Sequence, residues 1–120
     1  MNIFITDTNP NVAATHLDDT RLNKMILETA QILSTNNYLL NLSYKPYKLT
    51  HQNHPCTVWA RQSAANTLWL IDYLYALCTE YKHRFNKEHK TSQHILPFYQ
   101  ALYAADPSVF PKTGLLPFAN

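Results

Sequence analysis

Thr50, His51, Gln52, Asn53, His54, Pro55 and Cys56 put two imidazoles, two side-chain amides and a thiol just ahead of a long aromatic-rich segment. An imidazole titrates near neutral pH, so His54 is a candidate to move a proton, and His51 and Asn53 are candidates to hold a ligand. A second cluster, Asp18, Asp19, Thr20, Arg21, Leu22, Asn23 and Lys24, opens another segment of helical period. On a helix Arg21, Lys24 and Glu28 fall at offsets of three and four, and so share one face. A guanidinium and an ammonium bind phosphate oxygens. The Glu28 carboxylate beside them can act as a base, orient a sugar hydroxyl or hold the lysine. Lys24 can also act as an amine nucleophile if its surroundings lower its pKa. The two helix starts are expected to face each other across one polar site.

Each of these readings has a plainer alternative. His54 and Asn53 can satisfy backbone groups at a helix start. Asp19 can serve the helix N-terminus. Arg21, Lys24 and Glu28 can form a solvated helix face, whose i,i+4 pair is worth ~0.3–0.5 kcal/mol. His51, His54 and Cys56 suit zinc by type, but their spacing offers no fourth ligand, so neither metal nor cofactor is expected. Ser63 and Asn66 interrupt an apolar line that begins at Trp59. They either bond a neighbouring helix or line the same pocket as Asn53 and His54, where Trp59 would stack on a base. Arg84 and Lys90 belong to a crowd of basic side chains over residues 82–90, relieved by Glu88 alone. That crowd is either a phosphate-contacting patch or a helix end whose cations suit the dipole.

The elements that position these residues are mostly helical. Residues 1–6 are a short apolar run, read as a strand or an extended lead. Asn9 and Pro10 start a short helix that runs to about residue 17. Leu22, Met25, Ile26, Thr29, Ala30 and Leu33 form the buried stripe of a second helix, residues 19–35. Residues 36–49 lack a sustained period and read as a tyrosine-bearing loop. Pro55 introduces the longest helix, residues 57–85, and Thr91 and Ser92 can cap a last one over residues 93–104. Pro97 is tolerated there only in the first turn. The fold expected is mainly α: a single-domain bundle of three or four helices over residues 1–120, with a short N-terminal extended segment and an irregular tail over residues 105–120. Its core would gather Met25, Leu33, Trp59, Leu70 and Leu77.

Composition narrows the function classes. The chain has 120 residues, enough for one domain with a modest core, and 46% of them are hydrophobic. Two cysteines, Cys56 and Cys78, do not make a disulfide framework and read as reduced cytoplasmic thiols. No segment approaches the ~20 apolar residues of a membrane span, and the first residues lack a secretory pattern. No membrane partner is expected. A net charge of +2 does not announce a nucleic-acid binder by itself, so the argument rests on where the charges lie. Eight tyrosines offer flat surface with a polar tip, which suits contact with bases.

The opening Met1-Asn2-Ile3-Phe4, the run from Leu17 through Asp18, Asp19, Arg21, Leu22 and Lys24 to Gln31, and Asn53-His54-Pro55-Cys56 with Trp59-Ala60 resemble a family of small, mostly phage-encoded proteins. The layout is also similar to the phage pyrimidine-dimer DNA glycosylases, which are small helical single domains. That resemblance implies DNA or a nucleotide as partner and a place in the host cell cytoplasm. It also implies cleavage of a glycosylic bond by the chain's own amine with a nearby glutamate, followed by strand nicking. His16-Leu17 ahead of Arg21 falls in the comparable stretch. The chain departs from that pattern at Leu22, where the glutamate would adjoin the arginine, so Glu28 or Asp19 must take its place. It departs again at Asn2, a poor residue for removal of the initiator methionine. A non-catalytic nucleotide or nucleic-acid binding module, or an interaction protein, would use the same groups without a nucleophile.

Overall fold

A computed structural model describes residues 7–118. The expected lead over residues 1–6 lies outside that range. Five α-helices follow one another: α1 (Pro10–Thr15), α2 (Asp19–Leu39), α3 (Pro55–Ala60), α4 (Ala64–Phe85) and α5 (Ile95–Ala104). Two 3-10 turns, Lys90–His94 and Pro107–Val109, flank α5. The mainly α class is as read from the sequence. The described residues hold no strand, and one isolated bridge joins Ser63 to Lys112.

Helix α2 starts where Asp18 accepts a hydrogen bond from the Arg21 amide, 2.8 Å, which satisfies one of the free donors of its first turn. Its apolar stripe, Leu22, Met25, Ile26, Ala30 and Leu33, is buried. The helix runs four residues past the expected end, because Ser34, Thr35, Asn36 and Asn37 are buried rather than turned to water. Each bonds main chain of the segment that follows the helix, over residues 43–57. Ser34 Oγ donates to the Tyr47 carbonyl and accepts from its amide, and Thr35 does the same with Thr50. Asn36 donates to Thr57, and Asn37 to Ser43 and Tyr44. A helix face thus does for this loop what a neighbouring strand does in a sheet.

The single long helix expected over residues 57–85 is two helices. Ser63 stands extended between them at φ −149° and ψ 157°. Its Oγ accepts from the Asn66 amide as the N-cap of α4 and donates to the Gly114 carbonyl, 2.8 Å. The last helix begins two residues later than expected, after a 3-10 turn capped by His89 rather than by Thr91 or Ser92. Pro97 is the third residue of α5, where a missing amide hydrogen leaves no helical bond unmade.

Helix α4 is the hub on which α1, α2, α3, α5 and the Lys90–His94 turn all pack. Tyr73, Leu70, Ile71, Leu74 and Leu77 are fully buried apolar or aromatic side chains along it. Arg84 near its end reaches Asp19 at the start of α2, 3.1 Å. The other end of α2 meets α3 through Asn36 and Thr57. The two long helices are therefore antiparallel, and their N-termini lie at opposite ends of the molecule.

Candidate active site

One wall of a broad cleft among the described residues is the outer face of α2. Asn23, Lys24, Leu27, Glu28 and Gln31 lie along it, spaced so that all project to one side. From Asn23 to Gln31 the helix rises ~12 Å. The facing wall is the Lys90–His94 turn with His89 before it, and Tyr47 closes one end. The cleft encloses about 660 Å³, within the ~300–1,000 Å³ of ordinary ligand sites.

Two local arrangements hold the facing wall in place. His89 Nδ1 accepts from the Thr91 amide, 3.1 Å, and its Nε2 reaches the Asn23 Oδ1 across the cleft, 2.9 Å. With Nδ1 an acceptor, the neutral ring must carry its proton on Nε2 and donate it to Asn23. Burial, aided by the Lys87 charge, pulls the His89 pKa below its usual value and favours that neutral form. At the other end His94 Nδ1 meets the Tyr44 hydroxyl, and its ring packs edge-on against Tyr47. Burial lowers the His94 pKa and raises that of Tyr44, so neither is charged near neutral pH.

Lys24 and Glu28 are i,i+4 on this wall, yet they form no ion pair among the described residues. Glu28 is half-buried. Its Oε2 is fully buried without a hydrogen-bond partner among the described residues. A carboxylate oxygen left in that state lacks the compensation that buried polar groups ordinarily have. Lys90 adds a second ammonium at the rim.

Three residues singled out in the sequence, Lys24, Glu28 and Lys90, thus meet in one cleft. Arg21 lies one turn before Lys24 on an exposed stretch, 3.6 Å from Asp18 Oδ2. Asp19 and Arg84 pair with each other, and Arg84 also binds Glu80 at 2.6 Å and the Thr15 carbonyl at 3.2 Å. That network clamps the end of α4 to the start of α2, so the Arg84 guanidinium already has its acceptors.

The two helix starts do not face each other. His54 precedes α3, which packs near Asn36, and Arg21 lies fifteen residues earlier on the same helix, ~22 Å away. His54 Nδ1 accepts from the Cys56 amide, 3.2 Å, which makes the imidazole the N-cap of α3. Burial is the main reason its pKa lies below the ordinary value, and the nearby His51 adds to it. His51 and Asn53 are exposed beside it. Trp59 is 3% exposed, boxed by Trp69 and Phe118, and its Nε1 donates to the Leu116 carbonyl. No base could stack on it there. Asn66 is fully buried and uses both ends of its amide, donating to the Trp59 carbonyl and accepting from the Leu116 amide. Ser63 is fully buried as well. Packing against the tail, not ligand contact, accounts for all three.

His89, His94, Asn23, Gln31 and Tyr47 were not singled out as site residues. The pattern of Asn23, Lys24, Leu27, Glu28 and Gln31 along one helix face is the one signal that could have found the first wall. The described residues hold no group of three or more His, Cys, Asp or Glu side chains that could bind a metal. No described helix is long and apolar enough to cross a membrane. A comparison with family models matches residues 1–93 to the family described as pyrimidine dimer DNA glycosylase. No curated protein and no solved structure matches the chain.

Proposed function

The chain belongs to the pyrimidine dimer DNA glycosylase family, and on that premise we propose that the cleft between α2 and the Lys90–His94 turn breaks the glycosylic bond of a damaged pyrimidine nucleotide in DNA. The observation that carries this reading is the Glu28 carboxylate, with one oxygen buried and unpartnered among the described residues. It faces a cleft whose other charged groups are ammoniums. Such a carboxyl group has a proton to give or take and nothing in the described fold to occupy it.

The chemistry needs an amine. The resemblance implies the chain's own α-amine, and Lys24 on the cleft wall is the alternative. The neutral amine attacks C1′. The Glu28 carboxylate takes the proton the amine sheds, and the C1′–N1 pair leaves with the pyrimidine, which is protonated by solvent. Glu28 then hands its proton to O4′ while the C1′–O4′ bond opens, and an imine, protonated on nitrogen, forms between C1′ and the amine nitrogen. Glu28, now a carboxylate, removes a proton from C2′. The C3′–O bond then breaks and the 3′ phosphate departs. Lys24 and Lys90 supply the charge that holds flanking phosphates, and the extruded nucleotide occupies the cleft.

The test is incision of a duplex carrying one cyclobutane pyrimidine dimer, beside the same duplex undamaged. The proposal expects strand cleavage at the dimer alone, lost in Glu28→Gln. Binding to both duplexes without cleavage of either would make the chain a nucleic-acid binding module instead.

A further inference from the structure

His94 has a place in the cleft that the scheme above does not use. It lies on the wall facing Glu28, and its Nε2 has no hydrogen-bond partner among the described residues. Its other nitrogen is engaged by Tyr44. The loop holds Tyr44 in an unusual way. Tyr44 has φ +66°, a left-handed conformation that costs energy for a bulky side chain. The Asn37 side chain fixes its carbonyl at 2.9 Å, and its ring stands edge-on to Phe98 of α5, with centroids 5.3 Å apart. The Tyr47 ring stands nearly perpendicular to the imidazole, with centroids 5.2 Å apart, and Ser34 binds the Tyr47 amide and carbonyl. Two tyrosines from one loop thus fix the rotation and tilt of a single imidazole, at the cost of a strained backbone. Strain of this kind persists only where the surroundings hold it in place, and it clusters at functional sites.

We propose that His94 is a substrate-facing hydrogen-bond donor, positioned by Tyr44, which binds the carbonyl oxygen of the departing pyrimidine. This rests on the glycosylic-bond reading above. We assign the tyrosine hydroxyl as the donor to Nδ1, an assignment that puts the neutral ring's proton on Nε2, the nitrogen left for a ligand. When the C1′–N1 bond breaks, negative charge develops on the pyrimidine carbonyl oxygens. A donor already aimed at that oxygen stabilises the departing base more than the intact nucleotide, which lowers the barrier. The titratable and charged groups around the imidazole are Tyr44 and Tyr47 from the loop, Lys24 and Glu28 from α2, and His89 and Lys90 from its own segment. Tyr44 is a positioning residue, since it acts through His94.

The experiment is nitrogen-15 NMR of the His94 ring in the full chain, free and with two duplexes. One duplex carries a cyclobutane dimer and is bound by the uncleaving Glu28→Gln variant. The other carries a tetrahydrofuran abasic site, which has the phosphates but no base. The free ring should be the Nε2–H tautomer, and Tyr44→Phe should turn it into a mixture of tautomers. The Nε2 signal should move with the dimer duplex and stay put with the abasic one. His94→Leu should slow single-turnover excision about 100-fold, Tyr44→Phe about 10-fold, and His94→Gln, which keeps a donor, less than His94→Leu. An Nδ1–H ring in the free protein overturns the inference, as does an equal shift with both duplexes. Full excision by His94→Leu removes His94 while leaving the glycosylase reading intact. A wild-type chain that neither excises nor binds the dimer overturns both.

Discussion

Replacing Glu28 by glutamine is the perturbation whose consequences are most fully determined by the cleft. The amide has the shape of the carboxylate and loses only charge and proton exchange. The native Oε2 makes no hydrogen bond among the described residues, so no partner there is orphaned. Stability should therefore shift by less than about 1 kcal/mol. Binding should tighten slightly. A phosphate held ~7 Å from the carboxylate at the dielectric of water is repelled by ~0.6 kcal/mol, so its removal gives roughly threefold. Excision should fall by about 100- to 10,000-fold, the range that a positioned acid–base group ordinarily supplies. Single-turnover excision from a dimer-containing duplex measures the rate, and fluorescence anisotropy with the abasic duplex measures the affinity. A Glu28→Gln protein that excises within threefold of wild type would refute the assignment. A large fall in melting temperature would instead mean that Glu28 serves the fold.

Arg84→Met removes the clamp between α4 and α2. The guanidinium side chain is only 19% exposed and binds two carboxylates, so the loss should be about 2 kcal/mol, between exposed and buried pairs, seen in urea unfolding with little change in affinity for DNA. Asn66→Ala leaves the Leu116 amide without its partner and takes one donor from the Trp59 carbonyl, which keeps the Gln62 amide. It should destabilise by about 2 kcal/mol, read by the same unfolding curve, and a change below 1 kcal/mol would contradict the packing role. His54, His89 and His94 all hold their protons less tightly than the ordinary 6.5 because each is desolvated. The unfolded chain then binds more protons, so stability should be full above pH 6.5 and decline as pH falls through the lower folded values. Melting temperatures between pH 8 and pH 5 check this, and a flat profile would go against the hydrogen-bonding roles given to the three rings.

The parts of this fold that were legible in the sequence depend on local period. The stripe from Leu22 to Leu33 repeats at helical spacing, and Asp18 stands where an N-cap belongs, so α2 could be read directly. Lys24 and Glu28 share a face for the same reason. The sequence places Ser34 and Thr35 in the helix but gives Asn36 and Asn37 to the loop, because the partners that make this buried polar helix end stable lie 6 to 21 residues away. The break at Ser63 has the same origin, since the Gly114 carbonyl is 51 residues distant. The dense run from His51 to Cys56 drew attention by composition, although capping of the short helix α3 explains His54. The second wall of the cleft was hidden because no local pattern says that residues 89–94 fold back onto α2. Asn23 and His89 meet across 66 residues of sequence.

Borohydride trapping on the dimer-containing duplex, followed by mass spectrometry of the linked peptide, tests the central claim most directly. The account predicts a covalent protein–DNA adduct that depends on the dimer, is reduced through a C1′ imine, and maps to the α-amine or to Lys24. Recovery of intact, folded protein and unmodified duplex under conditions where the two are bound would contradict it.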